Sequence, residues 1–106
     1  MYIADGKTNG PAFSWPDGKR IAVMVTFDYD AEFLRISRAK SKGTSIGFTD
    51  FSRGQYGPHE GLARCLDMLD TMNIKSTFFV PGAVIETYRD TVEEIHRRGH
   101  ELACHG

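Results

Sequence analysis

The chain has 106 residues, enough for one small domain. Its 13 basic and 14 acidic residues give a net charge of -1, which excludes the basic surface of a nucleic-acid binder. A hydrophobic content of 41% and a charged content of 25% fit a folded protein rather than a disordered one, and no apolar run reaches membrane-spanning length.

Residues Met1 to Lys19 are polar and rich in Gly, Pro, Asn and Asp, and read as an N-terminal arm. Met1 to Gly10 carry no apolar segment or cleavage signature, so the expected location is cytoplasmic, with Cys65 and Cys104 as reduced thiols. Pro16-Asp17-Gly18 is a turn signal. The continuous β-branched run Ile21 to Phe27 suits a strand covered on both faces, as in a parallel sheet.

Asp28 to Pro58 reads as a long irregular stretch with a basic cluster of Arg35, Arg38, Lys40 and Lys42. Ala31 to Lys40 within it has the makings of a helical turn or two, with Phe33 and Ile36 on one face. Long loops inside compact domains are usually functional or flexible. From His59 to Met72 the period becomes helical, with Leu62, Cys65, Leu66, Leu69 and Met72 on one face and Asn73 as the stop.

Ser76 to Val80 is the second strand, broken by Pro81-Gly82. A helical stretch in two pieces follows. Asp90 and Glu93 have capping-box spacing, Val92, Ile95 and His96 face inward, and Gly99 closes the helix. The third strand starts near His100. Strand, helix, strand, helix, strand implies βαβ units and a parallel sheet of three strands.

Ligands in such folds bind at the carboxyl ends of the strands. Asp28 and Asp30 follow the first strand, Pro81-Gly82 the second, and His105 lies at the end of the third. Asp28 and Asp30, two residues apart, point the same way on an extended segment. Two close carboxylates repel unless a cation or a shared proton lies between them. One can bind a divalent metal while the other accepts a proton from the attacking water. Capping of the next turn, or plain solvation, is the structural alternative. His105 completes an aspartate–histidine set that suits zinc, nickel or cobalt. His100 is expected at the opposite rim as a structural residue, His59 and His96 receive no role, and Cys104 is expected to pack under a helix.

Val25-Thr26-Phe27-Asp28-Tyr29-Asp30-Ala31-Glu32 resembles the first motif of the NodB-like polysaccharide deacetylases. The Asp-x-Asp-Ala-Glu form is similar to the cytosolic branch of allantoinase-like, cyclic-imidase-like and peptidoglycan-deacetylase-like members. Trp15 to Val23, Ser76 to Gly82, and Arg98 to Gly106 fit the same branch. The resemblance implies Asp28 as general base and Asp30 and His105 as metal ligands, with zinc first and cobalt, nickel or manganese as alternatives. The family's third ligand, a histidine four residues past His105, has no counterpart in this sequence.

The implied fold is a distorted, TIM-like (β/α) barrel, of which residues 1–106 would be an incomplete NodB homology domain, with residues 1–19 its arm. An eight-unit barrel needs about 250 residues, so about two and a half units are expected here. The implied function is hydrolysis of an amide C–N bond in a sugar or small molecule, within carbohydrate metabolism, with no nucleic-acid or membrane partner and a homo-oligomer left open. The chain alone is expected to be a poor catalyst or none. The competing classes are a magnesium-dependent phosphatase with Asp28 as nucleophile, and a non-catalytic binding or assembly module.

Overall fold

A computed structural model describes residues 14–106; most of the expected N-terminal arm, residues 1–13, lies outside the described residues. A short 3₁₀ turn at Pro16–Gly18 sits where the turn signal lies. Three parallel strands follow in the order β1 (Thr26–Asp28), β2 (Thr77–Val80), β3 (Glu101–Cys104). The first crossover holds α1 (Phe33–Ser41), α2 (Phe48–Tyr56), a π turn (Gly57–Gly61) and α3 (Leu62–Thr71). The second holds α4 (Gly82–Thr87) and α5 (Arg89–Arg97). This is the expected α/β fold.

The core forms where periodic faces meet β2. Leu62, Leu66 and Leu69 of α3, Val92 and Ile95 of α5, and Val84 of α4 pack with Phe78, Val80 and Tyr29. Phe27 stacks on Phe78 with ring centroids 5.0 Å apart. Asn73 (φ 53°) and Gly99 (φ 78°) take left-handed conformations where α3 and α5 stop. Arg98 joins those two helices, pairing with Glu94 at 2.7 Å, Asp67 at 2.7 Å and Asp70 at 2.9 Å.

Several expectations need correction. The strand expected over Ile21 to Phe27 pairs only from Val25 onward, where the Val25 carbonyl accepts from Thr77 N–H. Ile21, Val23 and Met24 are exposed, because β1 is an edge strand and among the described residues nothing covers that segment. The irregular stretch is mostly helical. α1 reaches nine residues, and α2 was not expected because its buried residue is Gly54, which carries no hydrophobic signal. Helix therefore begins eleven residues before His59, which lies in the π turn joining α2 to α3. Met72, expected on the buried face, is exposed beyond the last turn of α3.

Asp90 does not cap α5. Tyr88 (φ −123°, ψ 44°) holds that place, and the Thr91 hydroxyl donates to the Tyr88 carbonyl at 2.7 Å. His96 is exposed rather than inward. Cys104 is exposed on β3, an edge strand, instead of packed under a helix.

Candidate functional site

The sheet ladders run one residue past β1 and β3. Tyr29 N–H donates to the Phe79 carbonyl at 2.9 Å, and His105 N–H donates to the Val80 carbonyl at 3.2 Å. These bonds fix the residues following β1 and β3 on either side of the carboxyl end of β2. β2 itself turns away at Pro81, which is extended (φ −66°, ψ 147°) and starts α4. Two ladder spacings, about 10 Å, separate β1 from β3. Side chains from both sides bridge that gap: Asp30 Oδ1 lies 3.4 Å from His105 Nε2, and Asp28 Oδ1 lies 3.9 Å from the same nitrogen. The three residues singled out in the sequence therefore meet at one rim.

Asp30 is the most sheltered of the three, with 21% of its side chain exposed, whereas Asp28 is 66% exposed. The inner pair suits ligation. Two donors, each about 2.0–2.2 Å from a tetrahedral zinc ion, stand about 3.4 Å apart, close to the observed separation. An oxygen and an imidazole nitrogen are also the donor types that zinc, cobalt and nickel accept. Among the described residues no three His, Cys, Asp or Glu side chains group as a metal cage. The residues present fit a two-donor half-site with Asp28 beside it.

The Asp28–Glu32 segment is held by contacts that sequence reading missed. Ala31 sits at φ 49°, a left-handed conformation that costs a non-glycine residue about 1–2 kcal/mol. Such strain persists only where the surroundings over-determine it, and here three contacts do so. Glu32 is buried, and the Tyr88 hydroxyl donates to both its carboxylate oxygens, at 2.8 and 2.9 Å. Gly54 of α2 packs against the Glu32 backbone so closely that a β-carbon there would lie 2.4 Å from Glu32 Cα. Tyr29 bonds Thr91 at 2.8 Å. Because the Thr91 hydrogen goes to the Tyr88 carbonyl, Tyr29 is the donor in that bond. Burial raises the pKa of Tyr88, with the Glu32 bond adding to the effect, and burial likewise raises that of Tyr29. Both phenols thus stay protonated donors.

The other candidates fall outside the rim. His100 is buried at the start of β3, accepts Ser76 N–H at Nδ1 (3.2 Å) and packs edge-on against Phe78, as a structural residue should. Burial, reinforced by Lys75, lowers its pKa. His59 contacts the Tyr88 ring edge-on at 6.1 Å. Both cysteines are free, and burial raises the Cys65 thiol pKa, which does not favour a nucleophile.

Known proteins are similar to this chain in sequence and fold. The family profile described as polysaccharide deacetylase matches residues 16–106. The chain is 35% identical over 88 residues to a peptidoglycan deacetylase of Helicobacter pylori, covering 83% of this chain and 29% of that protein. It is 30% identical over 90 residues to the peptidoglycan deacetylase-like protein FGM2 of Gibberella zeae, covering 83% of this chain and 26% of that protein. A crystal structure from Mycobacterium smegmatis, assigned as a polysaccharide deacetylase, superposes with a TM-score of 0.75 at 40% identity, over 92% of this chain and 34% of that one. The chain thus spans about a quarter to a third of the length of these relatives, and its three strands match part of a (β/α) barrel. Taken with the rim that joins Asp28, Asp30 and His105, these matches establish that the chain belongs to the polysaccharide deacetylase family.

Proposed function

We propose that the protein carrying this chain hydrolyses an amide C–N bond in an N-acylated sugar or small molecule, in the manner of a deacetylase. The observation that carries this reading is the 3.4 Å approach of Asp30 Oδ1 to His105 Nε2 with Asp28 alongside. Asp30 and His105 would hold a divalent metal, zinc by their donor types. When bound, the metal would polarise the scissile carbonyl and acidify the attacking water. Asp28, the more exposed carboxylate, takes the proton from that water. Tyr88, Glu32 and Gly54 hold the loop so that Asp28 and Asp30 keep their spacing. We also propose a cytoplasmic location, from the resemblance of the Asp-x-Asp-Ala-Glu segment to the cytosolic branch of the family.

The test pairs metal affinity with acetate release from N-acetylglucosamine oligomers. Asp28→Asn should lower hydrolysis by about 10²–10⁴-fold and leave zinc affinity within a few-fold. Asp30→Ala and His105→Ala should weaken zinc binding itself. If Asp28→Asn leaves hydrolysis intact, or if zinc binds equally well without Asp30 and His105, the reading fails.

A further inference from the structure

A cavity of about 330 Å³ is lined by Asp28 and Asp30 of the rim together with Arg35, Arg38 and Arg53. That volume suits a sugar-sized ligand. Arg35 and Arg38 lie three apart on one face of α1, and Arg53 comes from α2. Arg35 bonds Asp50 at 3.2 Å, which ties α1 to α2 and neutralises that one guanidinium. Arg38 and Arg53 make no ion pair among the described residues.

These arginines are not counter-ions of the site carboxylates. The ionic neighbour within 4 Å of Asp28 and of Asp30 is His105 alone among the described residues. Arg35 and Arg38 also line an adjoining cavity of about 270 Å³, to which Lys42 contributes. Cationic charge therefore continues from the edge of the site along α1. Arg38 and Arg53 thus bring two guanidinium groups without an ion-pair partner among the described residues to the wall of a cavity that Asp28 and Asp30 also line. A guanidinium fork matches the geometry of carboxylate and phosphate better than an ammonium does.

We infer that Arg38 and Arg53, with Arg35 held by Asp50, form an oxyanion cradle beside the reacting centre. This selects amide substrates that carry a carboxylate or phosphate over neutral ones. The inference rests on the proposed deacetylase reading only for which end of the ligand reacts. It commits to anionic charge on the ligand, and the two oxyanion chemistries are separated by experiment.

The experiment titrates the full chain, by calorimetry at low and at physiological ionic strength, with three probes built on one skeleton. These are N-acetylglucosamine, its 6-phosphate, and its 3-O-lactyl ether, N-acetylmuramic acid. At least one charged probe should bind about tenfold or more tightly than the neutral sugar, as expected for new charge-assisted hydrogen bonds. Which charged probe gains tells phosphate from carboxylate. The advantage should shrink with added salt and vanish in Arg38→Gln/Arg53→Gln. It should persist in Arg64→Gln/Arg89→Gln, which removes the same charge from two exposed helical sites.

Equal affinities, no measurable binding of any probe, or an advantage that survives the first double variant would overturn the cradle. An advantage that falls equally in the second double variant would also overturn it, since net charge alone would then be responsible. The deacetylase reading fails separately. Charge preference in this chain with no acetate release by the protein that carries it refutes that reading and keeps the cradle, whereas acetate release by that protein without charge preference in this chain does the reverse.

Discussion

Replacing Gly54 with alanine sets two effects against each other. Inside a helix, alanine is favoured over glycine by about 1 kcal/mol, and Gly54 lies within α2, so propensity alone predicts stabilisation. The packing predicts the opposite. A β-carbon at Gly54 would stand 2.4 Å from Glu32 Cα, 2.6 Å from its Cβ and 3.0 Å from its backbone nitrogen. Carbon atoms at rest lie about 3.5–4.0 Å apart, so α2 and the Asp28–Glu32 segment would have to separate by about 1 Å. The obstacle is mostly backbone, and it cannot swing aside as a side-chain tip can. Its neighbour Ala31 is already in a left-handed conformation, and its carboxylate is held by Tyr88. Overpacking costs about 1–3 kcal/mol, and a rigid obstacle belongs at the upper end. Subtracting the helix gain leaves a net loss of about 2 kcal/mol. For a chain of this size that corresponds to a fall of about 10 °C in Tm. Thermal and urea unfolding of Gly54→Ala measure it, with Gly57→Ala as control. The nearest atom to a β-carbon at Gly57 is Tyr29 Cε2 at 3.9 Å, an ordinary contact, so that variant should be neutral or slightly stabilised. If Gly54→Ala melts at or above the wild type, the close approach between α2 and Glu32 is wrong.

Three further outcomes follow from the same contacts. Tyr88→Phe strands a buried carboxylate and should cost about 1.5–3 kcal/mol in urea unfolding; a loss below about 0.5 kcal/mol would mean that the bond does not hold the loop. Leu66, fully buried between α3 and the sheet, should cost about 2–5 kcal/mol on truncation to alanine, and an unchanged denaturation midpoint would contradict the core. His100 has its pKa lowered by burial and then by the positive charges of Lys75 and Arg98, with Asp70 opposing them. The folded state therefore binds fewer protons than the unfolded one, and the contribution of His100 is complete above the ordinary value of 6.5 and lost as pH falls through the folded value. The Tm of the wild type should drop from about pH 7 to about pH 5 more steeply than that of His100→Gln, and parallel curves would exclude the linkage.

The parts of the fold legible in the sequence were those whose own residues carry the period. The leucines of α3, the apolar run of β2 stopped by Pro81-Gly82, and the Val92–Ile95 face of α5 were each readable. α2 was silent because its contact is made by a glycine, where the information lies in a missing atom. The apolar run before Thr26 misled in the other direction, since hydrophobicity reports a need for cover and not where the cover comes from. Of the site, Asp28, Asp30 and His105 were readable because strand ends converge on one rim of a parallel sheet. The clasp between Glu32 and Tyr88 was not, because 56 residues separate them and the Asp-x-Asp-Ala-Glu motif marks Glu32 without naming its partner. The basic cluster on α1 was visible as charge, but its convergence with Arg53 needed the turn from α1 into α2.

The middle strand acts as a ruler for the rim without contributing a side chain to the Asp28, Asp30 and His105 cluster. Asp30 and His105 hang from strands two apart, so their spacing is metered by backbone hydrogen bonds on either side of β2. Side-chain changes within β2 can weaken the protein while leaving that gauge untouched. A slip of β3 by a single residue would turn its alternate faces over, presenting Cys104 or Gly106 to Asp30 in place of an imidazole. Errors in strand registration, more than errors in packing, are therefore what this arrangement is least able to absorb.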